Sequence, residues 1–234
     1  MQPAHSATLT AGLGLEGDSN AHRLSPRQIL VTLASELEAL SIAPGALREN
    51  LVVAVDEDDE AAAHFVPGSA ITGAGGIEIR LTMYCEPCKQ IAPLVGNLAA
   101  VLERRGILGV IAGGGQLSVG EALTITPKRY PALPESPYQR FLDFVATIPP
   151  GRVVRYRDVA LAIGVDNSFM RAIPGYIRRS LARGLPLHRI VNARGQLLDA
   201  VPNQAARLAA EGVRSDGMPP HVAIDLARLL WQGQ

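Results

Sequence analysis

Two cysteines are the first residues of this sequence whose type and spacing could do chemistry. Cys85 and Cys88 are the only thiols among 234 residues, and Glu86 and Pro87 separate them. Thiols at this spacing serve as a redox couple, as half of a metal site, or as one reactive thiolate with a neighbour. The alternative is structural, because free cysteines are often simply buried. Two cysteines are too few to form a four-ligand zinc site on their own.

Arginine dominates the charge of the second half. Residues 135–234 contain 13 arginines, no lysine and 8 acidic residues, a net charge of +5, whereas residues 1–134 carry 9 basic and 14 acidic side chains, a net charge of −5. Between Arg152 and Arg194, 9 arginines face only Asp158 and Asp166. A segment with this excess of arginine either binds phosphates or forms a solvated helix face. The balanced totals of 22 and 22 exclude a uniformly basic nucleic-acid binder and an acidic disordered chain.

The elements that must position these residues are predicted to form two domains. Residues 127–137 contain four prolines and have no hydrophobic period. We therefore predict a first domain over residues 1–126, a Pro-rich linker over 127–137, and a second domain over 138–234. The first domain reads as a β-barrel-like α+β fold, with strands over 29–33, 51–55, 77–83, 108–112 and 122–125 and helices over 34–40 and 94–104.

The second domain has the pattern of a winged helix-turn-helix. Ser136 and Pro137 are typical of a helix start, and Pro149-Pro150-Gly151 ends that helix. A brief helix over 157–163, a turn at 166–168 and a longer helix over 169–183 follow, which together predict helix-turn-helix geometry. Residues 189–192 and 196–198 predict a β-hairpin wing.

The sequence lacks the signals of membrane insertion. No basic segment followed by an apolar run opens it, and no stretch approaches about 20 apolar residues. We expect a soluble, cytoplasmic protein that does not bind membranes.

The motifs of the first half occur in the order seen in a known family. They are Gly14-Leu-Glu-Gly17-Asp18, Leu24-Ser25-Pro26-Arg27-Gln28, Pro44-Gly45-Ala46-Leu47-Arg48-Glu49-Asn50-Leu51, Pro67-Gly68, the Cys85 and Cys88 pair, and Arg105-Gly106-Ile107-Leu108-Gly109. Over most of residues 10–125 this order resembles the MOSC domain. The resemblance implies a β-barrel-like module associated with molybdenum cofactor sulfuration. In its amidoxime-reducing members, a Cys ligates molybdenum, while an Arg-x-Asn and a Ser hold the pterin phosphate.

The MOSC resemblance assigns roles to particular residues. It makes Cys88 the first choice for the molybdenum ligand or sulfur carrier, with Cys85 as the runner-up. It makes Ser25, Arg27, Arg48 and Asn50 the contacts of the anion and the pterin. The implied cofactor is the molybdenum cofactor (molybdopterin) or a cysteine persulfide. A soft thiolate suits both, and Arg grips phosphate with two hydrogen bonds.

The motifs of the second half resemble another family. They are Tyr138-Gln-Arg-Phe, Ile148-Pro-Pro-Gly-Arg-Val-Val-Arg-Tyr156-Arg-Asp-Val-Ala160, Met170-Arg171-Ala172-Ile173, Leu185-Pro186-Leu187-His188-Arg189-Ile190-Val191 and Ala210-Glu211-Gly212-Val213. Over residues 138–214 they are similar to the DNA-binding domain of O6-alkylguanine-DNA alkyltransferases. In that family a Pro-Cys-His-Arg motif supplies the thiolate that accepts the alkyl group, and the His and a distant Glu polarise it.

This chain has Leu187 at the position of that nucleophile. Leucine cannot accept an alkyl group, so alkyl transfer is excluded. The domain then resembles the alkyltransferase-like proteins, which lack the Cys, bind alkylated guanine in DNA and flag it for excision repair. The resemblance implies a lesion pocket in which Leu187 is an apolar wall for a flipped purine, with His188 and Glu211 as a relay or as core polar partners.

The same resemblance implies the DNA contacts. Tyr156 would rotate the phosphate of the target nucleotide, and Arg171 would fill the space left by the extruded base. Further phosphate contacts are Arg152, Arg155, Arg178, Arg179 and Arg194. Where the family has small residues, this chain has Met170, Pro174 and Tyr176. Small residues let the family's helix lie deep in the minor groove, so these bulkier residues predict that lesion-specific binding is retuned or lost.

Three functions remain open at this stage. We favour recognition of an O6-alkylguanine-type lesion in double-stranded DNA by base flipping, coupled to a MOSC sulfur-carrier or molybdopterin module, with excision-repair proteins as partners. The alternative is a MOSC enzyme, acting in sulfur transfer or on N-hydroxylated bases, whose DNA-binding domain serves only docking or dimerisation. The third is a transcription factor with an N-terminal ligand sensor, which predicts affinity for one DNA sequence.

Overall fold

The chain forms two compact units. The computed structural model describes residues 3–56, 60–216 and 223–233. One unit spans residues 1–133 and the other residues 134–234, so the division lies within the Pro-rich segment 127–137. In the described ranges, no helix is both long enough and apolar enough to cross a membrane.

Two curled β-sheets make up the first unit. In chain order its elements are β1 (Ser6–Thr10), β2 (Gly14–Leu15), β3 (Ile29–Leu33), α1 (Ala34–Ala39), β4 (Leu51–Val53), β5 (Ala70–Thr72), β6 (Glu78–Tyr84), β7 (Ile107–Gly113), β8 (Gly115–Ser118) and β9 (Thr124–Thr126), with 3-10 helices at Glu60–Ala62, Ala74–Gly76 and Leu98–Val101. The sheet orders are β2-β1-β8 and β4-β3-β7-β6-β5-β9. Strands β3 and β4 run parallel, and α1 connects them.

Both sheets share one apolar core, which gives the unit its half-barrel form. Leu9 of β1 and Leu117 of β8 pack in the same cluster as Val31, Ile79 and Ile111 of the larger sheet. All five residues of β3 are buried, as expected for a strand covered on both faces. The predicted α+β, barrel-like class of the first domain is therefore confirmed.

The helix predicted over residues 94–104 is wrong. Only the 3-10 helix Leu98–Val101 forms there, capped by the Asn97 side chain, which accepts a hydrogen bond from the backbone N–H of Ala99. Glu103 has a φ of 61°, a left-handed conformation that an α-helix does not accommodate. A local cap and a left-handed residue therefore override the apolar spacing.

The Pro-rich segment is attached to the first unit over much of its length. The Arg129 guanidinium and the Tyr130 hydroxyl both donate to the Glu78 carboxylate of β6, at 2.6 and 2.7 Å. Arg80 donates to the carbonyl of Pro131 at 2.8 Å. Residues 129–131 are therefore fastened to the sheet and do not form a free spacer.

The second unit is mainly helical. In chain order its elements are α2 (Pro137–Thr147), β10 (Val154–Arg155), α3 (Tyr156–Ala162), α4 (Ile173–Ser180), β11 (Ile190–Val191), α5 (Gln204–Ala210), β12 (Ser215–Asp216), β13 (Ala223–Ile224) and α6 (Leu226–Leu229), with 3-10 helices at Asn167–Ala172, Leu181–Arg183 and Leu187–Arg189. Ser136 caps α2 and Pro137 occupies its first turn, as the sequence predicts. Phe141 and Val145 of α2 pack against Val159 of α3 and Ile177 of α4.

The predicted continuous helix over residues 169–183 is wrong in its details. The chain there forms the 3-10 helix Asn167–Ala172, then α4, then a second 3-10 helix. Pro174 lies in the first turn of α4. Because proline has no backbone N–H, the start of a helix is the position it tolerates, and the α-helix begins there.

The predicted β-hairpin wing does not form in the described residues. Ile190 and Val191 instead pair in parallel with Val154 and Arg155. Residues 192–196 close into a tight turn in which the Asn192 side chain accepts the backbone N–H groups of Arg194 and Gln196. Backbone pairing between the two predicted wing strands is limited to the bond from the Asn192 N–H to the Gln196 carbonyl at 3.1 Å, because the Gln196 N–H donates to the Asn192 side chain.

A substitution at Gly106 tests how closely the first unit is packed. It has a φ of 110°, and a Cβ there would lie 2.4 Å from both the Thr32 hydroxyl and the Val31 carbonyl oxygen. We expect Gly106→Ala to destabilise this unit by more than about 2 kcal/mol in scanning calorimetry. Gly96→Ala is the matched control, because no atom lies within 4 Å of its Cβ position. Equal stability of the two variants would contradict this packing.

Candidate functional site

Cys85 is a buried thiol at the end of β6. Its side chain packs with Leu30 and Leu108, and only 2% of the residue is exposed. Its backbone N–H donates to the carbonyl of Gly106 at 2.9 Å. Burial raises the pKa of the Cys85 thiol more than the charges of Arg105 and Arg27 lower it. Cys85 therefore stays protonated and resembles a core residue.

Cys88 lies in a different environment and is only partly buried. The Arg105 guanidinium donates to its Sγ at 3.3 Å. Burial acts to raise the pKa of Cys88, but the backbone N–H of Gln90 and the charge of Arg105 outweigh it, so that the pKa is lowered. The two thiols are thus unlike, and Cys88 is the one whose thiolate is favoured.

Arg105 is a site residue to which the sequence analysis gave no role. It is 6% exposed, and its Nη1 donates to the carbonyl of Glu86 at 2.7 Å as well as to Cys88. Its Nη2 lies 3.5 Å from the carbonyl of Leu47, which connects the cysteine loop with the Arg48 segment. Arg105 begins one of the motifs of the MOSC resemblance, but that motif assigned it no role.

The four residues expected to bind the pterin or its phosphate differ in availability. Arg48 is exposed and donates to the Gln90 side chain at 3.3 Å, beside the Cys88 loop. Arg27 lies close enough to Cys85 for its charge to act on that thiol. The buried Ser25 hydroxyl accepts the backbone N–H of Arg27. The Asn50 amide donates to Asp18 at 2.6 Å and accepts the backbone N–H of Leu30 at 2.8 Å.

These contacts bear on the implied molybdenum cofactor. Cys88, with Arg105 and Arg48 nearby, offers one soft ligand in a positive environment, which fits a metal or an anionic sulfur. Ser25 and Asn50 already use their polar atoms in internal hydrogen bonds. Across the ranges that the structure describes, no group of three or more His, Cys, Asp or Glu residues could hold a metal ion. Cys88 would thus be a single protein ligand.

In the second unit, α3 positions Tyr156 as its first residue. The ring packs against the core of this unit and is partly buried. Burial raises the pKa of the Tyr156 hydroxyl, and the charge of Arg178 on α4 opposes this shift. Tyr156 and Arg178, on the two helices of the predicted helix-turn-helix, are therefore within electrostatic reach of each other.

The segment from Arg171 to Ala182 exposes residues suited to a groove. Gly175 and Arg178 lie three residues apart on α4, which places them on one side of that helix, whereas Arg171 lies in the 3-10 helix before α4 and Ala182 in the one after it. Arg171, Arg178 and Ala182 are exposed, and a Cβ on Gly175 would meet no atom within 4 Å. We call these four residues the recognition strip. It has two cations, with Gly175 between them and Ala182 beyond.

The bulky residues of this segment do not lie on the recognition strip. Tyr176 packs into an aromatic cluster, with ring centroids 5.0 Å from Tyr138, 5.5 Å from Phe141 and 5.8 Å from Phe169. Pro174 is half-buried in the first turn of α4. The Tyr176 ring is partly buried and packs against the core of the second unit.

The other candidate phosphate contacts are not equivalent. Arg155 makes two hydrogen bonds with the Asp158 carboxylate, at 2.8 and 3.0 Å, so its charge is already paired. The Arg179 guanidinium lies over the Tyr138 ring, 4.0 Å from its centroid. Arg152 donates to the carbonyl of Arg228 at 2.8 Å, and Arg194 is exposed at its turn.

The segment around Leu187 joins the core to a polar network. Leu187 is 2% exposed and packs in the apolar cluster that includes Tyr156 and Leu198. The next residue, His188, shares a 2.7 Å hydrogen bond between Nε2 and the Glu211 carboxylate. Burial lowers the pKa of His188 more than Glu211 raises it. A neutral imidazole therefore donates through Nε2 to an ionised carboxylate.

Glu211 accepts hydrogen bonds from three residues in two separate parts of the unit. Besides His188, it accepts from Arg189 at 2.7 Å and from the backbone N–H of Gly151 at 3.0 Å. These bonds outweigh the effect of burial and lower the pKa of Glu211 to about 2. The predicted pairing of His188 with Glu211 is thus present, together with Arg189 as a third member.

Gln204 is a further residue that the sequence analysis missed. Its buried side chain donates to the carbonyls of His188 and Ile190, at 2.9 and 2.7 Å, and accepts the backbone N–H of Leu198 at 2.6 Å. It therefore holds the His188 segment and the following loop together. A glutamine that begins a surface helix gives no sequence signal of this role.

The Glu211 network predicts a pH dependence of stability. Because the folded pKa of Glu211 lies below its unfolded value, its stabilisation is present above about pH 4.5 and is lost as the pH falls toward 2. We expect Glu211→Gln to destabilise the second unit at pH 7, and the deficit to shrink by up to about 3 kcal/mol on acidification. Urea unfolding followed by the fluorescence of Trp231, the only tryptophan, measures this. Asp143→Asn, on the exposed face of α2, is the control. A deficit that does not change with pH would contradict the prediction.

Comparison with known proteins assigns a family to each unit. Residues 15–124 match the MOSC domain, and residues 136–213 match the DNA-binding domain of 6-O-methylguanine DNA methyltransferase. A protein of Escherichia coli (strain K12) named DNA base-flipping protein is 39% identical over 98 residues, which cover 40% of this chain and 72% of that protein. A Shigella flexneri protein of the same name matches equally.

Two solved structures are also similar. S. pombe Atl1, in complex with damaged DNA containing O6-carboxymethylguanine, aligns with 41% of this chain and 94% of its own, at 25% identity and a TM-score of 0.37. YiiM from Escherichia coli aligns with 79% of this chain and 90% of its own, at 18% identity and a TM-score of 0.39. From the family matches, together with the extent and identity of the relatives named DNA base-flipping protein, the chain belongs to the alkyltransferase-like DNA-binding family and carries a MOSC domain ahead of that domain.

Proposed function

We propose that the second unit binds double-stranded DNA and extrudes a modified purine of the O6-alkylguanine type without transferring its alkyl group. The observation that carries this proposal is the substitution at Leu187 within an otherwise intact His188–Glu211–Arg189 network. The 39% identical relative named DNA base-flipping protein supports it. A site that keeps its architecture but has no nucleophile is suited to binding, and not to reaction.

The recognition strip supplies the DNA contacts in this proposal. Arg171 enters the stack in place of the extruded base, where its planar guanidinium hydrogen-bonds the unpaired partner. Arg178, Arg152 and Arg194 neutralise phosphates, and Gly175 lets the helix approach the groove closely. Since Arg155 is held by Asp158, we give it the role of fixing the start of α3, where Tyr156 stands.

The pocket for the base lies next to Leu187. Tyr156 and Leu198 are partly buried and pack in the same cluster as Leu187, which is fully covered. A purine reaches Leu187 when these two side chains separate. Because binding does not change the lesion chemically, its removal from the DNA requires excision-repair proteins that recognise the complex.

The test of this function compares matched duplexes containing guanine or O6-methylguanine. We expect the full chain to bind the second duplex more tightly. A 2-aminopurine placed beside the lesion should become brighter on binding, because its neighbour leaves the stack. Equal affinity with no change in fluorescence would refute the proposal. Tight binding to one undamaged sequence would instead support a transcription factor.

Arg171 should distinguish damaged from undamaged DNA. We expect Arg171→Ala to weaken binding of the O6-methylguanine duplex about tenfold, roughly 1.4 kcal/mol, and to weaken undamaged binding much less, because only the flipped complex has a vacancy to fill. Arg178→Ala is the comparison, since loss of a phosphate contact affects both duplexes alike. If Arg171→Ala weakens binding of both duplexes equally, Arg171 is only a phosphate contact.

The absence of a nucleophile at Leu187 can be tested by mass. After incubation with O6-methylguanine DNA, we expect the intact protein to gain no methyl group, because the only thiols are Cys85 and Cys88 of the other unit. Intact-mass spectrometry measures this. A methyl group on either cysteine would contradict the prediction.

A second function is favoured by the contact between Arg105 and Cys88. We propose that Cys88 carries a persulfide or ligates the metal of a molybdenum cofactor, with Arg48 and Arg27 as anion contacts. When bound, the cofactor would supply two-electron redox chemistry. Cys85 remains a packing residue, because its thiol is buried and its pKa is raised.

Loading the protein with sulfur distinguishes the roles of Cys85 and Cys88. With a small-molecule persulfide as donor, the Cys88 thiolate takes the outer sulfur and releases the donor as its thiol. We expect persulfide labelling in the wild type and in Cys85→Ala, and none in Cys88→Ser. Labelling of Cys88→Ser at the wild-type level would assign the sulfur to Cys85 and refute this role for Cys88.

A further inference from the structure

Arg179 and Arg183 form a positive cluster on the second unit that the DNA contacts proposed above do not include. Their guanidinium carbons lie 4.0 and 5.8 Å from the centroid of the Tyr138 ring. Both arginines are exposed. In the described part of the chain, neither guanidinium forms an ion pair with a carboxylate. One aromatic ring thus holds two cations whose charge is available to an anion from outside.

The Tyr138 ring is a fixed support for these two arginines. It belongs to the first turn of α2 and is buried, and its hydroxyl shares a 2.9 Å hydrogen bond with the hydroxyl of the buried Ser180. The Tyr176 ring packs edge-on against it, with centroids 5.0 Å apart. A guanidinium that stacks on a fixed ring is partly ordered beforehand, so it loses less conformational freedom when it binds a phosphate. Tyr138 therefore prepares both guanidinium groups for an anion.

The arginines of α4 point to two sides of that helix. Successive residues of an α-helix lie about 100° apart, so Arg178 is about 60° to one side of Gly175 and Arg179 about 40° to the other. The contacts of the two arginines agree with this geometry. The charge of Arg178 acts on the hydroxyl of Tyr156 on α3, whereas Arg179 stacks on Tyr138 of α2. The open position of Gly175 thus lies between two pairs, each of an arginine and a tyrosine.

This arrangement matches the two backbones of a duplex. A helix that lies in a groove of DNA has the phosphates of one strand on each side. In the proposed function, Tyr156 acts on the strand that contains the lesion, and Arg178 lies on the same side of α4 as Tyr156. The opposite side, with Arg179 over Tyr138, then faces the phosphates of the complementary strand.

We propose that Arg179 and Arg183 form a phosphate clamp for the strand opposite the lesion, with Tyr138 as the positioning residue that holds them. The inference rests on the proposed DNA binding and deepens it, because it assigns one side of α4 to each strand. The two guanidinium groups donate to phosphate oxygens, and the ring keeps them in place. A complementary strand held in this way stays fixed while the modified base of the other strand leaves the stack.

The salt dependence of binding tests the clamp in the full chain. The affinity of the wild type and of Arg179→Gln/Arg183→Gln for the O6-methylguanine duplex is measured at several KCl concentrations. We expect the slope of log affinity against log salt to be less steep by about 1.8 in the variant, the value for two phosphate contacts. Arg207→Gln/Arg214→Gln removes the same charge from two exposed positions elsewhere in the second unit and should keep the wild-type slope. Equal slopes for the wild type and the clamp variant would overturn the proposal.

Two substitutions of Tyr138 test its positioning role. Tyr138→Phe keeps the ring and removes the hydrogen bond with Ser180, so we expect it to bind DNA like the wild type. Tyr138→Leu should weaken binding about two- to fivefold, the range for an exposed cation–π contact, and should cause no further loss in Arg179→Gln/Arg183→Gln. A further loss in that background would mean that the ring acts only on the fold. The salt comparison needs no change at Tyr138 and decides the clamp even if Tyr138→Leu fails to fold.

Neutral methylphosphonate linkages identify the strand. In the complementary strand they should weaken binding of the wild type and have much less effect on Arg179→Gln/Arg183→Gln. In the strand with the lesion they should weaken binding of both proteins. The reverse pattern would overturn the assignment of the clamp to the complementary strand. Failure of the wild type to bind either duplex would refute the proposed function itself, whereas binding with an unchanged salt slope in the variant refutes the clamp alone.

Discussion

The carboxylate of Glu211 is the group on which the second unit depends most. It joins the end of α5 to the loop before β10 through Gly151 and to the 3-10 helix Leu187–Arg189 through His188 and Arg189. These segments come from distant parts of the sequence, and one ionised group holds them because its pKa is kept near 2. Gln204 reinforces the arrangement with three hydrogen bonds from a buried amide. The geometry around Leu187 is therefore set by polar contacts at its edge as well as by apolar packing.

The structural role of Glu211 explains why the His188–Glu211–Arg189 network is present although Leu187 is not a nucleophile. In a reacting site, a histidine and a carboxylate activate a thiolate. Here the same pair bridges three segments, which is a structural task that remains when Leu187 replaces a thiol. Polar contacts that fix the backbone serve binding and reaction alike, so these contacts have a structural use where no reactive residue is present.

Local patterns in the sequence predicted much of the fold and only part of the site. The strand over residues 29–33 and the capped start of α2 are determined by residues close in sequence, and both occur as predicted. The wing and the helix over 94–104 failed where single side chains, Asn192 and Asn97, capped local turns. Arg105 and Gln204 could not be predicted as site residues, because their partners are brought to them only by tertiary packing.

The two units place opposite charges at their candidate sites. The recognition strip offers two arginines with Gly175 between them, which suits a polyanion approached closely. A cavity of the first unit, beside β4 and the three-stranded sheet, has Glu16, Asp18 and Glu121 in its lining, which repel one. Within the first unit, the positive environment of Cys88 is similarly distinct from the acidic cavity. Electrostatics thus favours a phosphate-bearing ligand at the arginine surfaces and opposes one in the cavity, and each place can be examined by substitutions that leave the others intact.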